Sequence, residues 1–328
     1  MRILHVSSDW KWTGPAEPML RLLLAQRERG HEAELACPEA PAGSGAGVAD
    51  RARAAGVEPI CRLAPGRGVR LRRDAPDARR LRAVLEERGF GVLHTWHTRD
   101  HVLAWRASRR ARRTARARVV RSYASAERIP RWPWNRLLYG LGTDALLCPS
   151  RAAAQANAGL CRAPVVGVLG AVDLARFAPK PPASALRAAL GLAPQQRALG
   201  IVARVQRHRR FDLLLEAMAR LASRDPDARL LVVGRGTHLD SVARRPAARL
   251  GIADRVIFAG YREADYADVL RAIDVFTFLV PGSDGSCRAL LEAHACGIPA
   301  VTSRRGALPE IVADGETGLL VDEDPEAL

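Results

Sequence analysis

Short apolar runs alternate with segments of helical period from the start of the chain almost to its end. Ile3 to Val6, Glu32 to Cys37, Val57 to Leu63, Val92 to His94, Val119 to Ser122 and Ala145 to Cys148 read as strands, with helices such as Met19 to Arg29 between them. Strands spaced this way pair in parallel through right-handed crossovers, which restricts the fold to α/β doubly wound sheets. A second series follows: Ala198 to Ala203, Arg229 to Val233, Val256 to Phe258, Val275 to Leu279, Ala300 to Ser303 and Gly318 to Val321. Its helices read as Phe211 to Ala222, Tyr266 to Ile273 and Arg288 to Cys296. Between the two series, Pro179, Pro181 and Pro182 exclude a regular interior element. Two Rossmann-like domains are therefore expected, 1–178 and 179–328, with their strand C-termini facing a shared interdomain cleft. A chain of 328 residues with 48% hydrophobic content has material for both cores.

Composition narrows the partners. The formal net charge is +16, yet Lys11 and Lys180 are the only lysines, and the arginines are spread through a chain rich in Ala, Gly and Pro. That is the imprint of a GC-rich coding sequence and requires no polyanion. Aromatic residues at 5% also supply few platforms for base stacking, so nucleic acid is not an expected partner. Two dense runs, Arg67 to Arg82 and Arg106 to Arg121, read first as solvated helix faces and second as a dock for anionic lipid headgroups. In the second case each nearby Arg contributes about 1 kcal/mol. Cys37, Cys61, Cys148, Cys161, Cys287 and Cys296 lack metal-ligand or redox spacing, so no zinc site and a reducing compartment are expected. No run of 18 apolar residues and no secretory h-region occurs, which points to a cytoplasmic or peripheral protein.

The chemistry-bearing residues fall at the ends of the second series of strands. Asp284 and Glu292 straddle Gly285, Ser286 and Cys287, a loop that opens a helix. Backbone N–H groups and the helix dipole there favour an anion, while the two carboxylates can accept protons from sugar hydroxyls. Arg204 closes a strand and Arg209 precedes the helix at Phe211; two cations at such a turn can neutralise a diphosphate. Glycines follow two further strands at Gly234 and Gly260, the latter preceding Tyr261. In the first half, Gly14 follows the first strand, and His94, His97, Asp100 and His101 follow the fourth.

This pattern resembles the family four, retaining, group 1 type glycosyltransferases, whose fold is GT-B. Asp284 stands in the first position of the family's E-x7-E signature and Glu292 in the second, and Glu292-Ala293-His294-Ala295-Cys296-Gly297-Ile298-Pro299 matches the family's ending of that motif. Leu231 to Gly236, Phe258 to Tyr261 and Leu169 to Pro179, with Asp173 and Phe177, resemble further family segments in the same order. The resemblance implies that Glu292 binds the donor ribose and that Asp284 contacts the donor sugar. It implies that Arg204, Arg209, Gly14, Gly285, Ser286 and Cys287 surround the diphosphate, that Gly234, Gly260 and Tyr261 read the base, and that His97 lies near the reaction centre. The sequence departs from the family at Arg209, where Lys is usual, at Arg210, where Gly is usual, and at Asp284, one methylene shorter than Glu.

The reaction implied is metal-independent transfer of a sugar from a nucleotide diphosphate, UDP favoured, to a carbohydrate or lipid-linked hydroxyl in envelope polysaccharide or lipopolysaccharide synthesis, with no cofactor. Asp322-Glu323-Asp324 imitates a metal-binding D-x-D but sits after the last strand. The chain stops soon after Val321, where the family usually continues through helices that cross back onto the first domain. An exposed apolar patch on that domain and weakened domain closure are the corresponding expectations. The alternatives are a GT-B nucleotide-sugar epimerase or hydrolase, distinguished by its products, and an Arg-rich nucleic-acid binder, distinguished by salt dependence.

Overall fold

Segments such as Arg2–Val6 and Ala228–Val233 form strands because aliphatic side chains fill both faces of a parallel sheet, and the intervening helices bury those faces. The computed structural model describes residues 1–281 and 285–328, and the chain forms two compact units, Met1–Val168 and Leu169–Leu328.

The first unit contains β1 (Arg2–Val6), β2 (Glu32–Cys37), β3 (Cys61–Arg62), β4 (Val92–Thr95), β5 (Arg118–Ser122), β6 (Ala145–Cys148) and β7 (Val165–Gly167). Its helices are α1 (Ala16–Glu28), α2 (Val48–Ala54), α3 (Ala75–Arg88), α4 (Thr98–Arg110), α5 (Pro133–Gly142) and α6 (Arg151–Ala156). The strands are parallel in the order β3-β2-β1-β4-β5-β6-β7. Alternate residues of β1 serve opposite faces: Leu4 and Val6 join Leu81, Leu85 and Leu103, while Ile3 joins Met19, Leu23 and Leu35. Each fully buried side chain of this size contributes about 1.5–3 kcal/mol.

The second unit repeats the plan with β8 (Arg197–Val202), β9 (Ala228–Val233), β10 (Val256–Gly260), β11 (Val275–Phe278), β12 (Ala300–Ser303) and β13 (Gly318–Val321). Its helices are α7 (Ser184–Ala189), α8 (Phe211–Arg224), α9 (Arg245–Arg249), α10 (Tyr266–Arg271), α11 (Arg288–Ala295) and α12 (Leu308–Ile311). The order is β10-β9-β8-β11-β12-β13, again parallel. In each unit the order reverses beside the first strand, between β1 and β4 and between β8 and β11. Connections there leave toward opposite faces, and a crevice opens beyond the strand ends.

Three details differ from the sequence reading. The compact units divide at Val168, not at the proline-rich stretch, because segment 169–178 is anchored in the second unit. Phe177 is buried there, and Arg271 donates to the carbonyls of Ala178 and Arg176 at 2.9 and 2.8 Å. Of Val57 to Leu63 only Cys61–Arg62 pairs; Pro59, within the run, cannot donate to a ladder. The edge strand β7 and helix α5 were not foreseen.

Candidate active site

In the second unit the crevice between β8 and β11 receives the loop after β8, the loop after β11 and the start of α11. Arg204 is exposed on the first of these loops and makes no hydrogen bond or ion pair with any described residue. Arg209 closes a single 3-10 turn at 207–209 and donates from Nη1 to the Val280 carbonyl at 2.7 Å, across the reversal point. Its guanidinium also lies 5.5 Å from the Phe278 ring centroid. The loop after β8 is thus joined to the loop after β11 through the residue expected to meet the diphosphate.

Gly282, Ser283 and Asp284 lie outside the described residues, so the expected sugar contact of Asp284 has no structural account. Beyond them, Gly285, Ser286 and Cys287 lead into α11, and Cys287 adopts left-handed φ 51° and ψ 38°. Arg210, at the start of α8, does the same with φ 56° and ψ 42°. Among the described residues these are the only non-glycine positions with positive φ. A side chain in that region costs about 1–2 kcal/mol, and such strain concentrates where a ligand is gripped. Both strained residues begin helices flanking the same crevice. Arg210, in place of the usual Gly, is held by Glu323 at 2.8 Å, and Arg305 pairs with the same carboxylate. The acid at the centre of the D-E-D segment is therefore occupied by two guanidinium groups.

Glu292, nearly buried on α11, accepts from the Tyr266 hydroxyl at 2.7 Å on Oε2, with Arg288 Nε 3.6 Å from Oε1. Burial, then the charge of Glu292, pushes the Tyr266 phenol well above its ordinary range, so it stays a donor. Tyr266 was missed because the sequence places it 26 residues before its partner. The reading of Glu292 as a ligand group gives a first prediction. Tyr266→Phe removes one charge-assisted bond and should raise KM for the donor about 5–30-fold with little change in kcat. An unchanged KM would separate Glu292 from donor binding.

Gly234 and Gly236 have a backbone reason. A Cβ at either would stand 2.1 Å from the carbonyl oxygen of Ala203 or Val205, because the loops after β8 and β9 run side by side. Gly234 also donates to the Gly260 carbonyl at 2.8 Å, linking the ends of β9 and β10. Tyr261 is 58% exposed, and the Arg235 guanidinium stacks 4.7 Å from its ring centroid. This cation–π pair forms a flat surface beside the two glycines, and Arg235 was not singled out from the sequence.

In the first unit, Gly14 lies in the turn between β1 and α1, where Ala16 N donates to the Thr13 carbonyl. His97 caps α4, its Nδ1 3.1 Å from Asp100 Oδ2. Asp100 is fully buried and also accepts from the backbone N–H of His97 at 2.8 Å and of Ser8 at 2.7 Å, tying the loops after β1 and β4 together. Burial alone would raise its carboxyl, but the His97 and Ser8 bonds and the Arg121 charge hold it below the usual range. His94 and His101 are buried structural rings, with Nε2 bonded to Ser122 Oγ and to the Gly142 carbonyl. All six cysteines are free thiols, and among the described residues no cluster of His, Cys, Asp and Glu is placed to hold a metal.

Two doubly wound parallel sheets in tandem, the second with cations and a helix start at its reversal point, define the GT-B class. Solved structures agree on the fold. HepE of Anabaena in complex with UDP matches 100% of this chain and 87% of its own at TM-score 0.78 and 19% identity. A glycosyltransferase from Rickettsia africae matches 99% of this chain and 85% of its own at TM-score 0.80 and 14% identity. Residues 14–176 match the model for Glycosyltransferase Family 4, and residues 196–328 match that for Glycosyl transferases group 1. The chain belongs to this glycosyltransferase family. The D-inositol 3-phosphate glycosyltransferase of Segniliparus rotundus is 41% identical over 46% of this chain and 34% of its own length. The lipopolysaccharide core biosynthesis mannosyltransferase LpsB of Rhizobium meliloti is 30% identical over 70% of this chain and 65% of its own. The chain matches about a third of the length of the D-inositol 3-phosphate glycosyltransferases to which it is similar.

Proposed function

We propose that the chain transfers a glycosyl group from a nucleotide-diphosphate sugar, UDP favoured, to a hydroxyl of a carbohydrate or lipid-linked acceptor, with retention and without a metal. The observation that carries this reading is the second-unit crevice: Arg209 fixed across the reversal point, Arg204 open to solvent, and α8 and α11 each beginning at a strained residue. Charge that builds on the departing diphosphate would be met by two guanidinium groups and the N–H groups of 285–287, an electrostatic role that needs no nucleophile from the protein. Glu292, oriented by Tyr266, would accept the ribose hydroxyls, and Arg235 with Tyr261 would support the base beside Gly234 and Gly260. Asp284 and His97 are assigned to the sugar and the acceptor side, with Asp100 fixing the His97 ring. Gly14 is assigned to the diphosphate. The first compact unit is assigned to the acceptor and the second to the donor.

The test is a thermal-shift panel of nucleotide diphosphates, followed by product analysis of the best sugar nucleotide with and without glycoside acceptors. Stabilisation by UDP, acceptor-dependent product with retained anomeric configuration, and a rate unaffected by chelator are expected. Hydrolysis or epimerisation alone would replace this reading with the alternative enzyme. Names of relatives point to lipopolysaccharide and inositol phosphate glycosides, which fits an envelope polysaccharide or lipopolysaccharide acceptor.

A cytoplasmic enzyme resting on anionic membrane is part of the proposal. Several arginines of the dense runs are engaged locally: Arg67 with Asp9, Arg80 with Asp77 and Arg82 with Glu86. Helix α5 supports the contact better, with Trp132 70% and Leu141 58% exposed beside Trp134, Leu137 and exposed Arg131 and Arg136. Among the described residues no helix is long and apolar enough to cross a membrane. The chain should co-sediment with phosphatidylglycerol vesicles and not with phosphatidylcholine vesicles, and W132S with L141S should reduce binding several-fold. Equal recovery with both vesicle types would remove the membrane from the account.

A further inference from the structure

The first unit buries two arginines in very different company. Arg99, 3% exposed, donates to Asp74 Oδ1 at 2.8 Å, to Asp77 Oδ2 at 2.7 Å and to the Ala64 carbonyl at 2.6 Å, so its charge is matched on every side. Arg121, 4% exposed near the C-terminal end of β5, has no described carboxylate at ion-pair distance. Its single hydrogen bond is long, 3.5 Å from Nη1 to the Thr95 carbonyl, and its Nε has no partner. A guanidinium removed from water is costly unless it is paired, and open polar groups inside a native fold mark places that a ligand or ion fills.

The surroundings fit an anion. The Nε–Nη2 edge of Arg121 bonds to no described residue and presents two parallel N–H groups, the fork that grips carboxylate or phosphate. Asp100, the acid whose ionisation Arg121 affects, has its oxygens engaged by Ser8 and His97 and does not form an ion pair with the guanidinium. Ser8 itself carries a second unpartnered buried atom, Oγ, on the loop after β1. The nearby imidazoles of His94 and His101 are kept neutral, chiefly by burial. The residue lies at the C-terminal end of β5, the end of a parallel α/β sheet beyond which such folds take ligands.

We propose that Arg121 is the cation of an oxyanion-binding site in the first unit, and that the oxyanion is carried by the acceptor substrate. The second clause rests on the glycosyl-transfer reading; the anion site does not. Acceptors bearing a phosphate or carboxylate are favoured over neutral glycosides, and the stability lost to an unpaired buried charge is retained for binding.

Crystals of the full chain soaked in sodium selenate test the site, with anomalous scattering locating the anion. A selenium peak on the Nε–Nη2 edge of Arg121 is expected, and it should disappear in Arg121→Met. The same variant, melted in solution, should keep or raise its Tm, because it exchanges an unpaired charge for an apolar chain of similar length. Absence of selenium at Arg121 in the wild-type chain overturns the inference, whatever the second unit shows. So does a Met variant that melts several degrees lower or fails to fold, since Arg121 would then be structural. Selenate at Arg121 but absent from Arg204 and Arg209 counts against the diphosphate site instead, so the two readings fail separately. In the assay, inorganic phosphate should compete with an anionic acceptor in the wild type and lose that effect in Arg121→Met; acetate competing in its place would name a carboxylate as the natural group.

Discussion

Arg209→Ala should lower kcat/KM for the sugar donor by about 10²–10³-fold while leaving both units folded. Arg209 holds the Val280 carbonyl at 2.7 Å and so positions the loop after β11 as well as carrying charge to the reversal point. Loss of one preorganised, charge-assisted donor accounts for about 10²-fold, and loosening of the loop adds to it. Arg209→Lys should recover part of the rate, since an ammonium supplies the charge but only a point contact. The relevant comparison is kinetic, with circular dichroism confirming the fold. An Ala variant within threefold of wild type would show that Arg209 only supports the loop.

Acid should unfold the first unit before the second. His5, His94 and His101 are all buried, and burial holds each imidazole down, His5 to about 4 and His101 to about 3. In the unfolded chain the same rings bind protons near pH 6.5. A folded pKa lowered in this way leaves stability intact above about pH 6.5 and erodes it as pH falls toward 4, where the unfolded state alone gains protons. His5 and His101 together contribute a loss on the order of 5 kcal/mol by pH 4, comparable with the whole stability of many domains. All six tryptophans, Trp10, Trp12, Trp96, Trp105, Trp132 and Trp134, belong to the first unit, so their fluorescence reports on it alone. A transition between about pH 6 and pH 4 is expected from these shifts. Fluorescence unchanged down to pH 4 would mean that the rings are not held neutral as the fold implies.

The strands and their order of use were legible because period-two and period-3.6 patterns are local. Ile3 to Val6 and Val275 to Leu279 appear almost as read, and the glycine turns mark where strands end. The signature around Glu292 was legible for the same reason, since its spacing lies within one loop and one helix. What escaped depends on contacts between distant segments. Tyr266 meets Glu292 only after β11 is inserted beside β8, and Arg235 meets Tyr261 only when β9 and β10 align. Arg121 looks like every other arginine in a chain rich in them, and only the absence of a described carboxylate partner separates it from the equally buried Arg99. The compact units divide ahead of the proline-rich stretch, since a break in regular structure need not coincide with a break between compact units. Phe177 and Arg271 fasten the preceding segment to the second unit.

The central claim is that the crevice between β8 and β11 grips a nucleoside diphosphate. A crystal structure grown with UDP tests it directly. The terminal phosphate should sit within hydrogen-bond reach of Arg204, Arg209 and the N–H groups of 285–287, with the ribose hydroxyls on Glu292. UDP found elsewhere, with Arg209 and Glu292 still engaged only by protein partners, would contradict it.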